Sequence, residues 1–183
     1  MILVDWQIEQ CIKNGIIKIS PYDKDLIQPN SIDVRIGDTF ILMKEVNEID
    51  PYEKESVVNS CELIKLDENE YFVLNPNDFV LGRTVEYITL PDNIVASLEG
   101  KSSIARLGVD IHKTAGWIDA GFTGTLTLEI GNVNKSPIRI YPNMTIGQLV
   151  FHKTAPVKVS YLNKKDAKYN GQIDPVVSQY FRN

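Results

Sequence analysis

Thr125-Leu126-Thr127-Leu128-Glu129-Ile130 alternates hydroxyl or carboxylate side chains with aliphatic ones, one for one. A period of two puts Leu126, Leu128 and Ile130 on one face of a strand and Thr125, Thr127 and Glu129 on the other. Ser31-Ile32-Asp33-Val34-Arg35-Ile36 and Ile138-Arg139-Ile140-Tyr141 repeat the pattern. Tyr71 to Leu74, Phe79 to Val85 and Ile146 to Phe151 are short β-branched or aromatic runs bounded by Gly, Pro or Asn. Many short strands with turn signals between them predict a mainly β barrel or sandwich.

Helical signals are few. Asp5 is a candidate N-cap for a helix that lines up Ile8, Cys11 and Ile12 and stops at Gly15. A second helix is expected near Ser102-Ser103, with either serine capping Ile104-Ala105-Arg106-Leu107 before Gly108. There is no internal repeat, linker or low-complexity tract, so 1–183 reads as a single domain. Beyond about residue 153 the chain turns polar and lysine-rich and is expected to leave the barrel as a tail, 153–183.

With 183 residues, 43% of them apolar, the chain can build a core without disulfides. No apolar run approaches the ~20 residues of a membrane span, and no signal peptide is expected. Cys11 and Cys61 read as reduced thiols, small buried hydrophobes of a cytoplasmic protein. The net charge of −5 argues against nucleic acid as a partner. Any anionic ligand must therefore meet locally concentrated cations, either Lys101 with Arg106 or the cluster Lys164, Lys165 and Lys168.

Two segments carry chemistry. In Gly100-Lys-Ser-Ser-Ile-Ala-Arg-Leu-Gly108, hydroxyls and a helix start stand beside two cations, a combination suited to phosphate. The same spacing also describes an ordinary capped helix with a solvated basic face. In Thr114-Ala-Gly-Trp-Ile-Asp-Ala-Gly-Phe-Thr-Gly-Thr-Leu-Thr-Leu-Glu129, Asp119 lies in a glycine-flanked turn and Glu129 on the alternating strand. A strand glutamate is costly to bury unless paired or functional. A solvated glutamate fits the pattern equally well.

Together these segments resemble the dCTP deaminase branch of the trimeric dUTPase superfamily. The resemblance runs in order through Gln28-Pro-Asn-Ser-Ile-Asp-Val-Arg-Ile-Gly37, Val80-Leu-Gly-Arg-Thr-Val-Glu-Tyr-Ile-Thr-Leu-Pro91, Glu99 to Gly108, Ile146-Gly-Gln-Leu149 and Lys165-Asp-Ala-Lys-Tyr-Asn-Gly-Gln172. It implies a dUTPase-like distorted β-barrel, jelly-roll-like, with short helices, assembled as a homotrimer with active sites at subunit boundaries. It further implies zinc-independent deamination of dCTP. Glu129 matches the proton shuttle that serves a water attacking C4 of cytosine. Ser102 and the Ala115 carbonyl match groups that hold this water, and Arg106 one that orients Glu129. Thr127 and Leu128 match residues flanking the base, and Asp119 one that contacts the deoxyribose. Lys101, Ser103 and Gln148 resemble phosphate ligands, within the substrate-binding stretch that runs on through Ile104 and Ala105. Tyr161, Lys168 and Gln172 resemble tail residues that close over the triphosphate. Lys101 stands where many members of the family carry arginine; it keeps the charge and loses the bidentate fork.

The residues argue independently against a zinc deaminase. Such enzymes combine a His or Cys and a Glu with a Pro-Cys-x-x-Cys pair. This chain has His112 and His152 and no Cys-x-x-Cys. The metal expected is Mg²⁺ carried by the triphosphate, with no protein ligands. Gly116-Trp117 stands where deaminases that stop at dUTP often carry His-Arg, and it resembles members that continue to dUMP. Tight packing and a subunit contact would account for the same pair. The alternatives are a monofunctional deaminase releasing dUTP, a dUTP diphosphatase with Asp119 activating water and no use for Glu129, and a non-catalytic nucleotide-binding regulator.

Overall fold

The computed structural model describes residues 1–183. Short strands dominate because the apolar residues recur at alternate positions and are interrupted by turn-formers before a helix can propagate. In chain order they are β1 (Lys18–Ser20), β2 (Ile27–Gln28), β3 (Ser31–Arg35), β4 (Thr39–Met43) and β5 (Cys61–Lys65). Next come β6 (Phe72–Leu74), β7 (Phe79–Arg83), β8 (Tyr87–Thr89), β9 (Ile94–Gly100) and β10 (Val109–Asp110). The last are β11 (Trp117–Ile118), β12 (Thr123–Gly124), β13 (Thr127–Asn132), β14 (Ile138–Ile140) and β15 (Thr145–Lys153). Three short helices accompany them: α1 (Asp5–Lys13), α2 (Lys54–Asn59) and α3 (Ser102–Ala105).

Two five-stranded sheets form the body, ordered β10-β13-β7-β4-β5 and β11-β9-β15-β3-β2. A three-stranded sheet, β1-β8-β12, and the pair β14-β6 complete it, and every pairing is antiparallel. Few sheet neighbours are consecutive in the chain, which gives a jelly-roll-like crossing of short antiparallel strands. One apolar cluster draws on both large sheets: Phe40, Leu128 and Ile130 from one, Ile32, Leu149 and Phe151 from the other. No helix is long and apolar enough to cross a membrane.

The expected alternation holds on β13, where Leu128 and Ile130 are fully buried while Thr127 and Glu129 are half-buried. Thr125 and Leu126, however, precede the strand rather than belong to it. Leu126 N–H donates to the Thr84 hydroxyl at 2.9 Å, and that hydroxyl donates to the Glu86 carbonyl at 2.8 Å. Nearby, Arg35 Nε meets Glu86 Oε1 at 2.7 Å, and the Arg35 backbone N–H reaches the other carboxylate oxygen at 2.9 Å. This largely buried pair ties β3 to the 84–86 segment between β7 and β8, against which the chain entering the Glu129 strand is bonded.

Three expectations are corrected. Asp5 is the first helical residue, not the cap. Val4 caps, because the side-chain oxygen of Gln7, three residues on, accepts Val4 N–H at 3.1 Å. Neither Ser102 nor Ser103 caps α3: both lie inside it, and extended Lys101 takes the cap position. Residues 154–183 form no strand, yet they do not depart from the body. Tyr161 N–H donates to the Ala120 carbonyl, Gly171 N–H to Thr123, and Thr125 N–H to Gln172, at 2.7–3.0 Å. At its end Tyr180 stands edge-on to Tyr52, 5.2 Å between ring centres, against the segment that carries α2.

Candidate active site

A cleft of about 520 Å³ opens where the 115–119 segment around β11, β13, β7 and the returning tail meet. Its wall is mainly apolar, with Leu81, Leu98, Phe122 and Leu126 among its residues. Into that wall the fold introduces few polar groups, chiefly Thr127, Glu129, Asp119 and Gln172. Such a surface suits a flat heterocycle with a small number of directional contacts.

Glu129 is placed by its pairing with Leu81 on β7 and by a bond from its own N–H to the Ile111 carbonyl at 3.0 Å. Its Oε2 accepts the Lys113 backbone N–H at 2.8 Å. One carboxylate oxygen is thus anchored and the other free of protein partners, as a proton-transferring group requires. Ala115, Gly116 and Trp117 line the same cleft, and Asp119 projects there exposed.

Gly116 is required by a close approach. Its carbonyl accepts Leu98 N–H at 2.7 Å, and a Cβ on it would lie 2.9 Å from the Leu98 carbonyl oxygen. The same Cβ would stand 3.2 Å from the His112 ring. His112 Nδ1 is buried without a hydrogen-bond partner. Trp117 is 59% exposed and tilts against His152, 5.7 Å between ring centres.

Gln172 joins the tail to the strand of Glu129. Its Nε2 donates to the Thr125 carbonyl at 2.7 Å and to the Thr127 hydroxyl at 3.2 Å. Tyr161 lines the cleft with it; Lys168 does not, and instead faces Asn183 and the Tyr180 ring.

Lys101, Ser102, Ser103, Ile104, Ala105, Arg106 and Gln148 are not among the cleft's residues within one chain. They gather instead where β9 and β15 meet α3, with Gln148 Nε2 donating to the Gly100 carbonyl at 3.2 Å. Arg106 is exposed and makes no ion pair, so its expected contact with Glu129 is absent inside a single chain. Apart from Lys168, and from Leu128, whose side chain is buried in the core rather than in the cleft, the sequence-derived residues therefore form two groups, one around Glu129 and one around Lys101.

Several cleft residues escaped the sequence reading: Met43, Phe79, Leu81, Tyr169 and the Lys113 amide. Phe79 and Leu81 had a signal, since both sit on one face of β7 beside Glu129. No three His, Cys, Asp or Glu side chains converge to hold a metal ion. The exposed Asp119 carboxylate has no side-chain hydrogen bond and can meet a hydrated cation carried by a ligand.

A family model described as dCTP deaminase-like matches residues 2–154. The chain belongs to the dCTP deaminase-like family. Its relatives in this family extend over the tail as well. A Methanosphaerula palustris protein named "dCTP deaminase, dUMP-forming" is 52% identical, covering 100% of this chain and 97% of its own. A Methanospirillum hungatei protein of the same name is 53% identical, covering 100% and 98%. Among solved structures, the 2'-deoxycytidine 5'-triphosphate deaminase of Agrobacterium tumefaciens superposes with a TM-score of 0.66 at 26% identity. The match takes in 83% of this chain and 47% of that one, so the present chain spans about half of its length.

Proposed function

We propose that the protein deaminates dCTP and then hydrolyses the product to dUMP and pyrophosphate. The observation that carries this reading is the placement of Glu129 and the 115–119 segment in one apolar cleft. Water adds to C4 of cytosine as Glu129 takes its proton, and Glu129 delivers protons to N3 and to the departing amine, so ammonia leaves and uracil remains. Ser102 and the Ala115 carbonyl hold the water, and Arg106 steadies the Glu129 carboxylate. A second water then attacks the α-phosphorus with Asp119 as base, and the P–O bond to pyrophosphate breaks.

Two supports stand behind the details. The full-length relatives carry names ending in "dUMP-forming", and Gly116 packs too close to Leu98 and His112 for a side chain beside the cleft. The separation of Lys101, Ser102, Ser103, Arg106 and Gln148 from Glu129 within one chain supports a homotrimer, in which the two groups meet across a boundary. There Lys101, Ser103 and Gln148 bind phosphates, and the tail, with Tyr161, Lys168 and Gln172, acts as a lid of the single domain. When bound with the triphosphate, Mg²⁺ neutralises phosphate charge. With two thiols unpaired and nucleotides as substrates, we assign the enzyme to the cytoplasm.

The test is to incubate purified protein with dCTP and Mg²⁺ and resolve products with time. Ammonia, dUMP and pyrophosphate in equal amounts are expected. Accumulation of dUTP without pyrophosphate would reduce the reading to a deaminase, and turnover of dUTP alone to a diphosphatase. Glu129→Gln keeps an oxygen for the Lys113 amide while losing the base, so deamination falls ~10²–10⁴-fold with the fold intact.

A further inference from the structure

We infer that β3 contributes two positioning residues, Asp33 for Lys101 and Ser31 for Gln148, which preset the phosphate end of the site. The inference rests on the function proposed above. Cross-strand registers pair Asp33 with Gln148 and Gln148 with Glu99, so these three share one face of the sheet. Ser31 lies two residues before Asp33 and Lys101 two after Glu99, which brings both to the same face.

Asp33 is only 4% exposed and sits on a strand flanked on both sides, by β2 and β15. Its Oδ2 forms an ion pair with Lys101 Nζ and accepts Gln28 Nε2 at 3.3 Å. A buried ion pair is not by itself a good source of stability, because desolvation cancels much of the attraction and a well-packed apolar pair does as well. What the pair does accomplish is to fix a flexible chain. Lysine offers three N–H donors on a four-carbon stem and lacks arginine's rigid fork. With one donor held by Asp33, the ammonium is already in place, two donors remain for an anion, and less side-chain freedom is lost on binding.

Ser31 does the equivalent for Gln148. It is 1% exposed, and its hydroxyl donates to Gln148 Oε1 at 2.6 Å. The oxygen of the amide is thereby turned inward. Nε2 spends one hydrogen on the Gly100 carbonyl and keeps the other for a ligand. Neither Asp33 nor Ser31 needs to touch the nucleotide for this.

A double-mutant cycle on dCTP turnover tests the inference. Asp33→Asn should raise KM about tenfold, the scale of one charge-assisted contact, and leave kcat within about twofold. In a Lys101→Met background the same change should alter KM by less than about twofold, since its target is gone. Ser31→Ala, measured alone and in a Gln148→Met background, gives a second cycle with a smaller substitution should Asp33→Asn fail to fold. Equal factors in both backgrounds, or a loss of kcat at unchanged KM, would overturn the inference while leaving the enzyme a dCTP deaminase. Absence of ammonia release from dCTP by the wild-type protein would overturn both.

Discussion

Replacing Gly116 by alanine isolates what the close approach at the entry to β11 is worth. The new Cβ would stand 2.9 Å from the Leu98 carbonyl oxygen, where ordinary contact begins at 3.4 Å, so the two backbones must part by roughly 0.5 Å. They resist, because the Gly116 carbonyl is bonded to Leu98 N–H at 2.7 Å. The His112 ring, 3.2 Å from the same Cβ, blocks the other escape. Overpacking of this kind costs about 1–3 kcal/mol. A kilocalorie shifts Tm by roughly 2–4 °C in a protein this size, so thermal unfolding should move down by about 2–12 °C. Activity should suffer more than stability. Ala115 and Asp119 flank the displaced residue, and a 1 Å misplacement of reacting groups is worth ~10²-fold, so a half-ångström shift should lower kcat at least ~tenfold. The assay is scanning fluorimetry beside dUMP release, with dCTP and with dUTP as substrate. Wild-type Tm together with wild-type turnover would refute the packing argument.

Three further outcomes follow from other parts of the fold. Glu86→Gln removes the buried charge that faces Arg35; breaking such a pair costs about 3 kcal/mol at the lower end, appropriate to Arg35 at 21% exposure, and is read from the urea midpoint. Burial opposes ionisation of the Asp38 carboxyl, but the Thr39 hydroxyl, its own backbone N–H, Arg83 and Lys65 outweigh it and hold the group below its ordinary value. Its stabilising contribution is therefore complete above the unfolded value of about 4 and lost as pH falls through the lower folded one, so Asp38→Asn should flatten the acid limb of a stability–pH curve. Truncation after Tyr161 removes Gln172 and its two bonds, and should raise KM for dCTP at least ~tenfold with the barrel still folded; unchanged kinetics would show a passive tail.

How much of this was legible depended on the range of the interactions involved. Strand alternation is local, so the sidedness of Leu128, Glu129 and Ile130 followed from the sequence alone. The helix starts are also local, but the cap rule met competing signals. Gln7 in the third helical position was the stronger sign for α1, and at α3 the extended backbone of Lys101 displaced both serines. The α2 helix escaped notice because Val57 is its only buried residue, too little for a periodic pattern. Legibility failed wherever sheet order decided the outcome. That β15 with Gln148, and β9 with the Lys101 that follows it, lie in the other sheet from Glu129 is a matter of which strands pair, and no spacing in the chain encodes it. The tail's return was hidden for a related reason. Its attachments run largely through backbone groups of Ala120, Thr123 and Thr125, to which composition is blind.

The route of the tail decides which defects can compensate one another in a mixed assembly. Gln172 binds the strand that carries Glu129 of its own chain. The tail and Glu129 are therefore inherited together, whereas the Arg106 group belongs to the other side of a boundary in the proposed trimer. Co-assembling a tail-less chain with a Glu129→Gln chain leaves no cleft with both parts intact. Co-assembling an Arg106→Ala chain with a Glu129→Gln chain rebuilds a whole site wherever the sound Arg106 of one faces the sound Glu129 of the other. Hybrid trimers thus exceed the activity of both parents in the second mixture and never that of the tail-less parent in the first.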